Sequence, residues 1–127
     1  MYSLLRINGV RDQLAKLLAE LENNHSELNP EINRQNMLVI NLSQASNAEH
    51  WADVADALDK ISESISKVGV GDIGLLVDTA FERKLTPEGG VAIDVMSVSH
   101  IALDAMARAG SDFEATIYPI SNGNENA

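Results

Sequence analysis

The chain has 127 residues, 45% of them hydrophobic and none of them cysteine, so it can bury one core but has neither disulfides nor thiolate metal ligands. Nineteen acidic and nine basic residues give a formal net charge of −10, which disfavours nucleic acid and anionic membranes as partners. No apolar run is long enough to cross a bilayer, and the first residues lack the pattern of a signal peptide. We therefore expect a cytoplasmic protein with a single domain over residues 1–120.

Apolar periodicity predicts three elements in the first third of the chain. Residues 2–8 are apolar-rich and end at Gly9, as a short strand would. Residues 10–23 carry apolar side chains at spacings of three and four, which predicts a helix. Turn-forming residues then predict an irregular segment over 23–36, and alternation over 37–42 predicts a second strand.

A long helix is predicted next, with Asn47 as its N-cap and an end near residue 67, just before two glycines. Its apolar stripe begins at Trp51, for which core packing is the expected role. Residues 72–81 and 91–96 both alternate in hydropathy, and the glycines and proline between them predict an antiparallel hairpin.

The last helix is predicted to begin after Ser97 as its cap, to direct Ile101 among other apolar residues towards the core, and to end at Gly110. Residues 112–120 then alternate as a final strand. The polar tail, residues 121–127, has nothing to offset the entropy of ordering and is expected to be disordered.

The resulting order is βαβαββαβ, without repeats or linkers. Its strands alternate, whereas the strands of a doubly wound parallel sheet would be continuously apolar. The sequence therefore predicts an α+β fold in which one mixed, mostly antiparallel sheet carries helices on one face and leaves the other face at least partly wet.

Acidic residues form the main candidate site. Asp78, Asp94 and Glu114 all fall on the less apolar side of predicted strands, and they would form one patch if those strands were neighbours. Such carboxylates can act as a general acid and base, can hold a divalent cation, or can simply be a solvated sheet face. They can also attract a basic protein, together with acids on the outer side of the long helix: Glu49, Asp53, Asp56 and Glu63. Tyr118, on the same side of its strand as Glu114, is a candidate interface anchor.

Other chemistry receives little support from the residues. His25, His50 and His100 lie in separate elements without metal-ligand spacing, and no nucleophile elbow, phosphate loop or dinucleotide motif occurs. We therefore predict no catalytic residue, no metal and no cofactor. Arg6 and Arg108 are the bases most expected to meet acids in the fold, and Arg108 is also well placed for the helix dipole.

The second half of the chain resembles an uncharacterised bacterial family, domain of unknown function 4279. The resemblance lies in residues 74–81, Gly-Leu-Leu-Val-Asp-Thr-Ala-Phe, and in residues 89–118, which open with Gly-Gly-Val-Ala-Ile-Asp-Val and end at Tyr118. Arg-Ile-Asn-Gly at residues 6–9 and the long helix fall where that family has a strand and a helix. The resemblance implies the fold and no reaction, because its signature consists of packing and turn residues.

Size, charge and fold class are also similar to those of bacterial immunity proteins, which neutralise basic toxin domains, often nucleases of contact-dependent growth inhibition systems. We therefore favour a protein-binding module whose acidic face covers a basic toxin. The alternatives are a small enzyme or metal-binding protein that uses Asp78, Asp94 and Glu114, and a homo-oligomer that pairs through its first or last strand.

Overall fold

The computed structural model describes residues 1–45, 49–84 and 96–120. Several predictions fall outside this range: the Asn47 cap, Asp94, the hairpin strand over residues 91–96 except Met96, and the tail 121–127. They stay predictions.

Three helices and five strands are seen in the described part of the chain, along with a short 3-10 turn at Ser26–Leu28. In chain order they are β1 Tyr2–Asn8, α1 Arg11–Asn24, β2 Glu31–Ile32, β3 Leu38–Ser43, α2 Glu49–Val68, β4 Gly74–Lys84, α3 His100–Ala109 and β5 Ser111–Ile120. The boundaries agree with the predicted elements to within a few residues. The two-residue strand β2 is new, since its segment was predicted to be irregular.

The described strands form one sheet in the order β2-β3-β1-β4-β5. Every neighbouring pair is antiparallel except β4 and β5, which run parallel. The helix α3 supplies part of the crossover between those parallel strands, as such a connection requires. The predicted α+β class with a single mixed, mostly antiparallel sheet is therefore confirmed.

Strand β1 lies in the middle of the sheet and aligns the core. Leu5 is paired with Ile40 on one side and with Val77 on the other, and Ile7 is paired with Leu38 and Leu75. Leu5, Ile40 and Val77 are fully buried. Because side chains alternate along a strand, this register puts the odd-numbered residues of β1 and β4 against the helices and the even-numbered residues on the other face.

The helices form one layer over that apolar face. Their buried stripes come from spacings of three and four: Leu14, Leu17 and Leu21 in α1, Val54, Leu58 and Ile61 in α2, and Ala102, Ala105 and Met106 in α3. They join the sheet residues in a single core cluster. Trp51 is 6% exposed and belongs to this core, as predicted.

Three details of the prediction are wrong. The cap of α3 is Ser99, whose hydroxyl accepts a hydrogen bond from the Ile101 amide, and it is not Ser97. Ile101 is 49% exposed, because the helix buries the stripe of Ala102, Ala105 and Met106 instead. Strand β1 cannot be an edge for oligomerisation, since both of its sides are paired.

Among the described residues, no helix combines the length and the apolar character that crossing a bilayer would require.

The predicted stop at Gly110 is confirmed and can be tested by substitution. Gly110 has a left-handed φ of 71°, whereas an added Cβ would meet nothing within 4 Å, so only backbone conformation opposes a side chain there. We expect Gly110→Ala to lower the free energy of unfolding by about 1 kcal/mol in urea denaturation. Gly71→Ala is the matched control, because that site is equally open but has no positive φ. Equal effects of the two substitutions would contradict this explanation.

Candidate functional site

The face of the sheet opposite the helices is the candidate site, and we call it the open face. Its members up to Glu82 on β4 and Tyr118 on β5 are the outward residues of the five strands: Tyr2, Leu4, Arg6, Asn8, Glu31, Val39, Asn41, Leu76, Asp78, Ala80, Glu82, Asp112, Glu114, Thr116 and Tyr118. Most are half-buried or exposed, whereas the helix-facing residues of the central strands are buried. The predicted partly wet face is therefore present.

An ion pair lies at the centre of the open face. Arg6 Nη2 is 2.9 Å from Asp78 Oδ2, and the Asp78 side chain is only 14% exposed while that of Arg6 is 36% exposed. Thr116 Oγ1 also donates to Asp78, at 3.4 Å. Asp78 thus has its charge balanced on the sheet surface, and the expectation that Arg6 meets an acid is confirmed.

The predicted carboxylates are brought together only in part. Asp78 on β4 is directly paired with Glu114 on the parallel strand β5, so these two do lie side by side on the open face. Tyr118 lies on the same face, paired with Glu82 and 49% exposed. Asp94 is outside the described residues. No cluster of three potential metal ligands occurs in the part of the chain that the structure describes.

The acids of α2 are not part of this surface. Glu49, Asp53, Asp56 and Glu63 are exposed on the outer side of the helix layer, beyond the opposite face of the sheet. Asp53 accepts a hydrogen bond from Ser43, and Asp56 forms an i,i+4 ion pair with Lys60 at 3.2 Å. The helix buries its apolar stripe against the sheet, so its acids must point away from the open face, and the single acidic patch predicted from sequence is divided between two sides of the protein.

Charge on the open face is strongly one-sided. Among its members up to Glu82 on β4 there are five carboxylates and one base, Arg6, which is already paired; Lys84 takes the next outward position of that strand. The carboxylates are Glu31, Asp78, Glu82, Asp112 and Glu114. Surfaces of this kind attract cations and steer the approach of basic proteins.

Two cavities flank the central ion pair. One, which we call the tyrosine pocket, has a volume of about 480 Å³ and is lined by Met1, Tyr2, Ala80, Phe81, Glu82 and Tyr118. The other, of about 410 Å³, is lined by Leu4, Asn29, Pro30, Glu31, Val39, Asn41 and Gln44. Asn41 Oδ1 in the second cavity is buried without a hydrogen-bond partner among the described residues. The open face thus has a solvent-open hollow on each side of the ion pair.

A buried hydrogen-bond chain on the opposite side of the sheet was missed by sequence reasoning. Ser3 Oγ lies 2.7 Å from His50 Nε2 and 2.6 Å from Thr79 Oγ1, and His50 Nδ1 lies 2.7 Å from the carbonyl of Ala45. A carbonyl only accepts, so Nδ1 carries the proton of neutral His50, Ser3 donates to Nε2 and Thr79 donates to Ser3. Ser3 and Thr79 fall at inward positions of alternating strands. Because a buried hydroxyl needs a hydrogen-bond partner, these positions could have indicated the buried hydrogen bonds.

These hydrogen bonds have a structural role and do not provide an accessible nucleophile. A serine beside a histidine is an arrangement that hydrolases use, but Ser3, His50 and Thr79 all have 0% exposure. The chain connects β1 and β4 to the first turn of α2 and so fixes that helix on the sheet.

The buried, hydrogen-bonded position of His50 predicts that the free energy of unfolding decreases at acid pH. Burial lowers the pKa of His50 below its usual 6.5, and the nearby amino group of Met1 acts in the same direction, against the Ala45 hydrogen bond and the charge of Asp53. The stability that neutral His50 contributes is therefore complete above pH 6.5, which is its pKa in the unfolded chain. It is lost as the pH falls through the lower pKa of the folded state. We expect the free energy of unfolding, measured in urea, to begin falling below pH 6.5.

Replacing His50 with Gln should remove this part of the pH dependence. His100→Gln, at an exposed position, should leave it unchanged. Where His50→Gln does not fold, an NMR titration of the wild-type chain should still show that the pKa of His50 is below its usual 6.5, and a pKa of His50 above 6.5 would contradict the account.

The central ion pair predicts unequal costs of removing two arginines. We expect Arg6→Met to lower the free energy of unfolding by about 1–2 kcal/mol, because Asp78 is mostly buried and loses its counter-charge. Arg108→Met is the control, since its pair with Asp59 is exposed at both ends, and should cost less than about 0.5 kcal/mol. The double variant Arg6→Met/Asp78→Leu should recover part of the loss. Equal costs for the two single variants would be inconsistent with a special role for the central pair.

Comparison with known proteins finds no matching family model, no similar curated protein and no similar solved structure. The resemblance drawn from residues 74–81 and 89–118 therefore stays a prediction, and the functional argument rests on the open face.

Proposed function

We propose that this chain is a protein-binding module that uses its open face to hold a basic partner, and that the partner is a toxin domain which the chain neutralises in the cytoplasm. The observation that carries the proposal is the asymmetry of the open face, with five described carboxylates around one paired arginine. The class of partner comes from the similarity in size, charge and fold class to immunity proteins.

The shape of the open face supports a protein as the binding partner. Tyr2 and Tyr118 are 42% and 49% exposed and flank one cavity, and exposed tyrosines are common anchors at protein interfaces. Leu4, Val39 and Leu76 add half-buried apolar surface between the charged groups. Apolar and aromatic side chains interspersed with charged ones give the open face the mixed composition of a protein interface.

Complementary charge also explains how a basic partner would associate rapidly and be inhibited. A net charge of −10 accelerates the encounter with a basic domain and makes the association rate depend on salt. An acidic cover placed over a basic nuclease site would exclude the phosphates that the nuclease must bind.

Self-association is a second candidate, favoured by one specific observation. Strand β5 is an edge of the described sheet, and Phe113, Ile117 and Tyr118 on it are 36%, 47% and 49% exposed. Unpaired edges of this kind can add a strand from another chain. Sedimentation equilibrium from micromolar to millimolar concentration distinguishes the candidates, because a constant monomer mass excludes self-association.

Charge reversal on the two sides of the protein tests the proposed function. The test partner is the product of the neighbouring upstream gene, with binding measured by calorimetry and neutralisation measured as growth rescue on co-expression. We expect Asp112→Lys/Glu114→Lys, on exposed positions of the open face, to weaken binding by about tenfold or more and to abolish rescue.

The matched control is Glu63→Lys/Asp104→Lys, which changes the net charge equally but on exposed positions of α2 and α3. It should retain both binding and rescue. The proposal fails if the partner does not bind, or if the two double variants weaken binding equally.

A further inference from the structure

The tyrosine pocket is built at the point where the three strands β1, β4 and β5 lie side by side. Tyr2 on β1 is paired with Ala80 on β4, and Glu82 on β4 is paired with Tyr118 on β5. Both tyrosines of the chain therefore line one cavity, from opposite sides of the same strand. Ala80 is 4% exposed and is too small to fill the space between them.

Spacing across the sheet sets the width of the pocket. Adjacent strands are separated by roughly 4.8 Å, so β1 and β5 are about 10 Å apart. Tyr118 is level with Glu82, two residues beyond the Ala80 that faces Tyr2, so the backbones of the two tyrosines are about 12 Å apart. A positive charge midway between them would be about 6 Å from each, at the limit within which an aromatic face attracts a cation. A volume of about 480 Å³ leaves room for a long side chain.

The lining selects for charge as well as for shape. The residues that line it include both tyrosines and Glu82, all three exposed, together with Met1 at the start of the chain, and the neighbouring base Arg6 is engaged by Asp78. Aromatic faces and a carboxylate together favour a guanidinium or ammonium group over a neutral group of equal size.

We propose that the tyrosine pocket receives one arginine or lysine side chain of the partner, held between Tyr2 and Tyr118 with its charge on Glu82. This rests on the proposed function, to which it adds the anchoring contact: the carboxylates of the open face attract the partner, and the pocket fixes its position. The second cavity has no aromatic wall and takes no part in this contact.

A titration with small molecules tests the pocket without any partner. The probe is N-acetyl-arginine amide, added to the full chain while the Ala80 methyl and the tyrosine ring signals are followed by NMR. We expect saturable shifts at these groups, whereas N-acetyl-citrulline amide, which has the same shape but no charge, should give none. Saturation with the neutral probe at the same concentration overturns the proposal.

Substitutions of pocket residues test whether the arginine probe binds in the tyrosine pocket. Tyr118→Leu and Glu82→Gln should each weaken binding of the arginine probe by about fivefold or more, and Tyr118→Phe should retain it, because the ring carries the attraction. Phe113→Leu, at an exposed position on the helix side of β5, is the control and should have no effect. Wild-type affinity in both Tyr118→Leu and Glu82→Gln overturns the proposal.

This result is separable from that of the proposed function. If the probe binds and no basic partner does, the pocket stands and the proposed function fails. If the partner binds through Asp112 and Glu114 while the probe gives no shifts, only the pocket proposal fails.

Discussion

The pairing of β1 with both β3 and β4 is the constraint on which the rest of the structure depends. It aligns Leu5 and Ile7 with apolar residues of β3 and β4, and these residues together form the apolar face on which the helices pack. A slip of one residue would move Arg6 into the core and Leu5 into solvent, with a large energetic cost. Because the same register places Arg6 near Asp78 on the other face, the core and the candidate site have a common origin.

The two faces of the sheet handle polar groups differently. On the helix side, Ser3, Thr79 and His50 are fully buried and satisfy each other in one chain of hydrogen bonds. On the open face, most charged groups keep access to solvent, and the mostly buried Asp78 is balanced by Arg6. The first arrangement fixes α2 on the sheet, and the second leaves carboxylates and tyrosines available to a partner. The functional argument therefore concerns one face only.

Sequence patterns predicted most of the elements because alternation in β1, β3 and β4 and the stripes of the helices are local signals. They also placed Asp78, Glu114 and Tyr118 on one side of their strands, as the structure shows. Strand order is not a local property, so the meeting of Tyr2 with Tyr118 could not be predicted. The separation of the α2 acids from the open face was overlooked, although it follows from the apolar stripe of α2 and the predicted packing of helices on one face. The choice of Ser99 over Ser97 as a cap was missed for a related reason, since both serines suit that role and the packing of α3 decides between them.

The central claim is that partners are held by the open face and not by the helix layer, and radical footprinting of the complex with the upstream gene product tests it most directly. Tyr2 and Tyr118 on the open face and Ile101 and Leu103 on α3 are all 42–49% exposed in the free protein, so each pair can serve as a reference for the other. The account predicts that the oxidation of the two tyrosines slows in the complex while that of Ile101 and Leu103 is unchanged. Protection of Ile101 and Leu103 with the tyrosines still reactive would contradict it.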